Sequence, residues 1–265
     1  MIINHNINAM DAHRNLLLNN IAMGKSGEKL SSGYRINRAA DDAAGLSISE
    51  KMRAQIRALT QAQRNAQDGV SLVQTAEGAM NEVSDMLTRM KELATQAANG
   101  TYNSSDLAAM NNEYTALKNA ISDIATKTKF NGTNLLNSTG TVAIQTGDSG
   151  GDTVTVSLQD ISSLGLGDIS SAANASTELG AVDSAIGTVN SARSALGAAQ
   201  NQLEHVFNNL GTTVENLQAA ESRIRDTDMA KEMMNYTKLG ILQQAATAML
   251  AQANQSPQGV LQLLR

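Results

Sequence analysis

The stretch AQRNAQDGVSLVQTAEGAMNEVSDMLTRMKELATQA, residues 62–97, contains the clearest helical periodicity of the chain. Its apolar residues recur at steps of three and four, and they are Ala62, Ala66, Val70, Val73, Ala76, Met80, Val83, Leu87, Met90, Ala94 and Ala97. This spacing lines one face of an α-helix and is typical of a seam between packed helices. It predicts a long helix that begins at Asp41 or Asp42 and ends at Asn99-Gly100.

Two further seams of the same kind follow. One comprises Leu107, Met110, Tyr114, Leu117, Ile121 and Ile124. Ser105 or Asp106 is its predicted N-cap. The other begins at Leu179 and continues to Ile224. A helix over residues 43–99 would be ~85 Å long, whereas a compact globule of this chain length is ~47 Å across. The sequence therefore predicts a mainly α fold, an elongated antiparallel helical rod.

Between the second and third seams the period changes from helical to two. TVAIQT (141–146) and TVTVSL (153–158) alternate in polarity, and GDSGGD (147–152) separates them. This pattern predicts a small β-hairpin over residues 141–158 with a glycine-rich turn. Residues 159–176 are rich in Ser, Gly and Ala and are predicted to be an irregular connection.

Each end of the chain carries an apolar stripe, separated from the seams by a small, charged segment. The N-terminal stripe is Ile3, Ile7, Met10, Leu17 and Ile21. The C-terminal stripe includes Leu239, Leu242, Ala246, Met249 and Ala253. Two paired helices bury one face each at most, which does not offset the entropy lost on ordering. We therefore expect these ends to become fully ordered only when other subunits cover them.

The composition excludes several classes of function. The chain has 265 residues, a formal net charge of −5 and no Cys. An acidic balance without a basic stripe argues against nucleic-acid binding. The lack of Cys excludes disulfides, thiol catalysis and Cys-ligated zinc. No apolar stretch is long enough for membrane insertion, and MIINHNINAM (1–10) lacks the features of a secretory signal peptide.

No group of residues points to catalysis. His5, His13 and His205 do not have the spacing of metal ligands, and H-E-x-x-H does not occur. The pair Asp41-Asp42 has no accompanying pocket residues, so capping is the better interpretation. The 12 Met favour adaptable packing over copper binding. We expect no enzymatic activity, no metal and no cofactor.

Several longer motifs are specific to one family. They are LSSGYRINRAADDAAGLSISEKMRAQIRAL (30–59), QDGVSLVQTAEGAMNEV (67–83), ELATQAANGT (92–101), AAESRIRDTDMAKEM (219–233) and TKLGILQQAATAMLAQANQSPQGVLQLLR (237–265). In this order they resemble the two end regions of bacterial flagellins. The resemblance covers residues 1–140 and 180–265. Flagellins usually carry a large variable insertion between these regions, where this chain has little more than the hairpin.

The resemblance implies a structural subunit that polymerises into the flagellar filament for motility. Its terminal helices would pair as a coiled coil inside the tube, in segments 1–42 and 226–265, around an outer domain of residues 43–225. The implied filament-core residues are Ile3, Ile7, Met10, Leu17, Ile21, Leu239, Leu242, Met249, Leu250, Leu261 and Leu264.

The charged segments resemble the spoke of flagellins, which joins the inner helices to the outer domain. We keep the name spoke for residues 31–42 and 225–230. Its implied functional residues are Arg35, Arg38, Asp41, Asp42, Arg225, Asp226 and Asp228. Gly33 is expected to end the first helix. The aspartates are the possible partners of Arg35 and Arg38, and in a tube of densely packed subunits such ion pairs could fix the register.

The resemblance also places the chain outside the cell. Flagellins leave the cytoplasm unfolded through the flagellar type III export system, without a cleaved signal peptide, and assemble at the distal tip. The implied partners are further copies of the chain, the filament cap, hook-associated proteins and an export chaperone. The chaperone would hold the C-terminal segment through Leu239, Ile241, Leu242, Met249 and Leu250.

A host partner is implied by a short motif. Flagellins recognised by Toll-like receptor 5 carry L-x-R-x-x-E-L and a Glu on the next helix. LTRMKELA (87–94) supplies Arg89 and Leu93, and NNEYTAL (111–117) supplies Glu113. Leu93 lies six residues after Leu87, off the main seam, so we expect it to be an exposed anchor.

Two alternatives stay open at this point. The hook–filament junction protein of the same family shares both end motifs, although the ending AQANQSPQGVLQLLR (251–265) favours a flagellin proper. A non-exported coiled-coil adaptor would also be helical throughout. It would differ from a flagellin in having stably ordered termini as a free protein.

Overall fold

The computed structural model describes the backbone of residues 5–263 and the side chains of residues 5–256. Within that range the helices are α1 (Ile7–Ser32), α2 (Ala43–Ala97), α3 (Ser104–Lys127), α4 (Ala172–Arg225) and α5 (Met229–Leu263). The strands are β1 (Lys129–Phe130), β2 (Thr133–Asn134), β3 (Gly140–Gln145) and β4 (Thr153–Leu158). The predicted mainly α fold with a small β-hairpin is confirmed.

The chain divides into two compact units. Residues 1–54 and 216–265 form one, which we call the terminal unit, and residues 55–215 form the other, which we call the central unit. The boundaries fall inside α2 and α4, so each of these helices contributes to both units. The three-segment division at residues 42 and 225 stays a prediction. No helix of the described part of the chain is long and apolar enough to span a membrane.

The core of the central unit is built on the seam quoted first. Every residue of that seam from Ala62 to Ala97 is buried. Tyr114 and Ile121 of α3 and Val182 and Leu196 of α4 are buried in the same apolar cluster. Apolar residues at steps of three and four thus bring α2, α3 and α4 together, as the periodicity predicts.

The β-hairpin packs on this helical core. β3 and β4 are antiparallel, with Val142 opposite Val156 and Ile144 opposite Val154. Ile144, Val154 and Val156 are buried against the helices. Gly69 of α2 makes the close approach possible, because a Cβ at this position would collide with the Ile144 side chain. The hairpin strands begin and end within a residue of the predicted ones.

Three local features differ from the sequence prediction. The N-cap of α3 is Asn103, not Ser105 or Asp106, because Asn103 and Asp106 form a reciprocal capping box. α4 begins at Ala172, several residues before the first seam position, Leu179. The short pair β1–β2 was not predicted at all. Its two-residue turn, Asn131-Gly132, has positive φ at both positions, which is the geometry of a tight hairpin.

The connection after β4 is irregular but well anchored. Glu178 of α4 is buried, and its Oε1 accepts hydrogen bonds from the Tyr114 hydroxyl at 2.7 Å and from the Gly167 N–H at 2.8 Å. Burial, and then the bond to Glu178, raises the pKa of Tyr114 far above its ordinary value, so the hydroxyl stays a donor. Ile161 and Ile169 of the connection are buried in the core. A low-complexity sequence is therefore held as part of the packed unit.

Candidate functional site

Helices α1 and α5 pack against each other in the terminal unit. Asn6, before α1, donates its amide N–H to the Ala253 carbonyl at 2.8 Å, late in α5. Ser26, late in α1, donates to the Glu232 carboxylate at 2.5 Å, early in α5. The two helices are therefore antiparallel. The pairing of the chain ends that the flagellin resemblance implies is present within a single chain.

The α1 face that meets α5 combines small, polar and large apolar residues. Ser26 is buried there, Asn20 accepts a bond from Gln243 at 3.1 Å, and Ala12 and Asn19 line the groove between the helices. Leu16, Met23 and Leu30 continue the same steps of three and four along α1 and are also partly covered. The two helices are therefore held by partial apolar burial together with hydrogen bonds.

The N-terminal stripe lies on the other side of α1. Ile7, Met10, Leu17 and Ile21 are between 49% and 66% exposed. Ala12 and Asn19 line the groove that faces α5. Met10 lies two residues before Ala12, and Leu17 lies two residues before Asn19. Two residues correspond to a rotation of about 200° around an α-helix, so Met10 and Leu17 lie on the opposite side. The stripe therefore faces away from α5. Ile3, the first predicted member of the stripe, lies outside the described residues.

The predicted core residues of α5 are divided between two environments. Leu239 and Leu250 are partly covered, whereas Leu242 and Met249 are exposed. Ile241, a predicted chaperone contact, is also exposed. The Leu261 side chain and all of Leu264 lie outside the described residues. The C-terminal stripe therefore presents apolar surface outward even though α5 is paired with α1.

An open groove of about 780 Å³ runs between α1 and α5. Its α1 side is polar and includes Asn6, Asn8, Asp11, Asn15 and Asn19. Its α5 side is largely apolar and includes Leu242, Ala245, Ala246, Met249 and Ala253. Such a two-sided groove fits an amphipathic segment better than a small polar metabolite.

The spoke connects α1 to α2 and α4 to α5 through the main chain. Gly33 ends α1 with φ of 74° and donates its N–H to the Lys29 carbonyl, so the predicted helix end is confirmed. The Arg35 N–H donates to the Arg225 carbonyl at 2.7 Å, and the Thr227 N–H donates to the Gly33 carbonyl at 2.9 Å. These bonds, with an antiparallel bridge between Tyr34 and Asp226, join the two connecting segments directly.

Arg225 is at the centre of the spoke. Its side chain is only 13% exposed, and its Nη1 lies 2.5 Å from the Glu50 Oε1. Its guanidinium carbon is 4.8 Å from the centroid of the Tyr34 ring, which is a cation–π distance. Arg225 therefore ties the end of α4 to the first turns of α2 and to the connection after α1. Sequence reasoning identified Arg225 but missed Glu50 and Tyr34, since no local motif links them.

Within one chain the hypothesis that the Arg35 and Arg38 side chains pair with the aspartates is wrong. Arg38 instead forms a two-bond contact with the Glu28 carboxylate at 3.1 and 3.2 Å. The Arg35 guanidinium donates to the Ile224 carbonyl. In the described part of the chain neither guanidinium pairs with an aspartate, and only the Arg38 backbone N–H donates to the Asp41 carboxylate, at 3.0 Å.

The four aspartates of the spoke make local contacts. The Asp42 carboxylate accepts the Gly45 N–H at 2.8 Å and caps α2, and Asp228 accepts the Lys231 N–H at 3.1 Å and caps α5. Asp41 accepts two backbone N–H groups, and Asp226 accepts the Ser222 hydroxyl at 2.7 Å. Donors left unpaired at helix starts and turns lie within reach of a short side chain. This proximity explains why the aspartates bond there and not to the arginine guanidinium groups.

Asp41 of the spoke, and Glu50 of α2 that contacts the spoke through Arg225, have carboxyl groups with lowered pKa values. The hydrogen bond from Arg225 is the main cause for Glu50, with partial opposition from desolvation. Backbone N–H donors are the main cause for Asp41. A lowered folded-state pKa means that each carboxylate stabilises the fold above its ordinary pKa. That stabilisation is lost as the pH falls through the folded-state value.

We therefore expect the spoke to loosen in acid. Hydrogen exchange at the Arg35 and Thr227 amides should become faster, relative to the intrinsic rate, as the pH falls below the ordinary carboxyl pKa of about 4, with no change between about pH 7 and about pH 5. In a Glu50→Gln variant the same amides should exchange faster at neutral pH and should respond less to acid. An acid response of equal size in the variant would show that the Glu50–Arg225 contact does not control the spoke.

The predicted receptor residues separate into an exposed pair and a buried leucine. Arg89 lies 2.9 Å from the Glu113 carboxylate across α2 and α3, and both side chains are about half exposed. Leu93 is only 2% exposed and belongs to the core, so the expectation of an exposed anchor is wrong. A helix that packs against two others buries a wider face than a two-helix seam.

Two family models match the chain. The bacterial flagellin N-terminal helical region matches residues 3–141, and the bacterial flagellin C-terminal helical region matches residues 179–264. The chain belongs to the bacterial flagellin family. It is 54% identical to a flagellin of Halalkalibacterium halodurans and 47% identical to a flagellin of Bacillus subtilis, in both cases over 100% of each chain.

A solved flagellin has the same fold. The crystal structure of Bacillus cereus flagellin is 40% identical, has a TM-score of 0.53, and aligns over 60% of this chain and 94% of that one. Flagellins are structural proteins of the extracellular flagellar filament. The chain is therefore a filament subunit and not an enzyme. The full-length match to flagellins favours this function over the junction-protein and adaptor alternatives.

Proposed function

We propose that the chain polymerises through the outward-facing apolar residues of α1 and α5. The observation that carries this proposal is the exposure of Ile7, Met10, Leu17 and Ile21 on the side of α1 opposite α5. Complete burial of such side chains contributes roughly 1.5–3 kcal/mol each. An exposed row of this kind on a soluble subunit is typical of a protein–protein interface.

The way α1 meets α5 supports this role. Ser26, Asn20 and Asn6 provide hydrogen bonds between the helices, and the large side chains of the α1 stripe are left uncovered. A single pair of helices covers only one face of each helix, which limits the apolar burial within one chain. We therefore expect α1 and α5 to be weakly held in the free subunit and to be fixed when neighbouring subunits cover the stripes.

We also propose that the chain is exported unfolded through the flagellar type III system and added at the distal tip. An export chaperone would bind the C-terminal segment. Ile241, Leu242 and Met249 are already exposed, whereas Leu239 and Leu250 are partly covered. The chaperone could use all five residues only while α5 is separated from α1, which an unfolded export substrate satisfies. The filament cap and hook-associated proteins would contact the same terminal helices at the two ends of the polymer.

A host receptor is a further proposed partner of the monomer. Arg89 and Glu113 form an exposed ion pair that bridges α2 and α3, and Glu92 extends it with a contact to Arg89 at 2.9 Å. This charged surface would bind Toll-like receptor 5 in the flagellin manner. Leu93 lies beneath it and would support the surface without making the contact.

Seeded assembly tests the polymerisation proposal. Purified full-length chain should elongate sonicated filament seeds, as measured by sedimentation and electron microscopy. A variant lacking residues 226–265 should not elongate them, because it has no α5. A full-length chain that remains monomeric on seeds would overturn the proposal, and so would elongation by the truncated chain.

A further inference from the structure

Methionines are sharply segregated by exposure in this protein. Among the described residues, the exposed ones all lie on α1 and α5 of the terminal unit, with 48% to 67% of each side chain accessible, and they are Met10, Met229, Met233, Met234 and Met249. We call these five the terminal methionines. By contrast, Met80 and Met90 of the central unit are at most 1% exposed. One chain therefore contains both open and protected thioethers.

The terminal methionines lie within the surfaces proposed for assembly. Met10 is a member of the α1 stripe, and Met249 lines the groove between α1 and α5. Met229 and Met233 are one turn apart at the start of α5, beside Met234. Exposed Tyr236 continues this apolar surface. Thioethers thus make up a large part of the uncovered apolar surface of the terminal helices.

We propose that the terminal methionines are an oxidation site through which peroxide controls the incorporation of a subunit. The inference rests on the polymerisation proposed above. In the free subunit, the sulfur of each side chain attacks one oxygen of hydrogen peroxide. An S–O bond forms, the O–O bond breaks, and the departing hydroxide takes the proton of the sulfur-bound hydroxyl to give water. The thioether becomes a sulfoxide by loss of two electrons, which the peroxide gains.

Oxidation acts on assembly through polarity. A sulfoxide is a strongly polar group, and its burial against apolar surface without a hydrogen-bond partner is unfavourable. A subunit with sulfoxides on α1 and α5 therefore adds poorly to a filament end. The converse also holds, because a subunit already in the filament has these sulfurs covered. Oxidation opposes assembly, and assembly protects against oxidation.

The first test maps oxidation by peptide mass spectrometry after limited exposure to hydrogen peroxide. In the free subunit the terminal methionines should oxidise at least ten times faster than Met80 and Met90, which serve as internal references. In assembled filaments the rates at the terminal methionines should fall several-fold. Equal rates at the terminal methionines in monomer and filament would overturn the proposal.

The second test measures elongation of untreated seeds by oxidised subunits, with each protein compared with its own untreated sample. Oxidised wild-type chain should elongate at least tenfold more slowly, and methionine sulfoxide reductase should restore the rate. A variant with Leu at all five terminal positions should lose far less of its own rate. The matched control, Met86→Leu with Met110→Leu, should stay as sensitive as wild type, because these residues lie in the central unit.

The outcomes separate the two proposals. Untreated wild-type chain that does not elongate seeds contradicts the polymerisation proposal itself. Untreated chain that elongates, together with oxidised chain that elongates equally well, contradicts only the oxidation proposal. Equal inhibition of wild type and the leucine variant would place the sensitive group elsewhere and would also overturn it.

Discussion

Seeded elongation falls by at least about 100-fold when Leu17 and Ile21 are both replaced by Asp, because two charges then enter an apolar contact between subunits. Burial of an unpaired carboxylate costs several kcal/mol, and each 1.4 kcal/mol corresponds to a factor of about ten. The measurement is the initial rate of elongation on wild-type seeds. In the proposed interface the two substituted residues are among the largest apolar side chains of α1.

The same substitutions should leave the free subunit intact. Leu17 and Ile21 are exposed and face away from α5, so their replacement removes no contact within the chain that stabilises the fold. We expect helical circular dichroism and the thermal unfolding of the central unit to match wild type. The matched control is Leu17→Ile with Ile21→Leu, which keeps volume and polarity and should slow elongation by only a few-fold. Equal elongation by the Asp variant and this control would contradict the assignment of the stripe.

The central unit shows what the sequence alone can establish. The seam from Ala62 to Ala97 is entirely buried, and the hairpin strands lie within a residue of their predicted positions. Both follow from local periodicity, because one period fixes which side chains share a face. Leu93 is the exception. Its burial depends on packing against more than one other helix, and periodicity along a single helix does not record how many neighbours that helix has.

The terminal unit shows where local pattern stops being informative. An apolar stripe predicts that a surface is covered but does not predict which partner covers it. Here the single chain leaves Leu17 and Ile21 uncovered.

In the spoke, composition suggested ion pairs between arginines and aspartates. Backbone donors at helix starts hold Asp42 and Asp228 instead. The partner of Arg225 is Glu50, which is distant in sequence, and no spacing rule connects them.

Burial of Leu93 leads to the second large expected effect. Leu93→Ala should lower the free energy of unfolding by about 2–5 kcal/mol, the range for loss of a buried leucine side chain. Arg89→Ala should change it little, because the ion pairs of Arg89 with Glu92 and Glu113 are exposed. Denaturant unfolding followed by circular dichroism measures both. Leu93→Met is the matched control, since it nearly conserves volume and should retain most of the stability.

The same variants decide how the proposed receptor surface works. If Arg89 and Glu113 make the contact, Arg89→Ala should reduce activation of Toll-like receptor 5 by monomer while its stability stays near wild type. Leu93→Met should keep most of the activation, because the residue only supports the surface from below. Activation lost in Leu93→Met at unchanged stability would instead mean that Leu93 itself reaches the receptor. That result would require α2 and its neighbours to move apart in the complex, since Leu93 is inaccessible in the free chain.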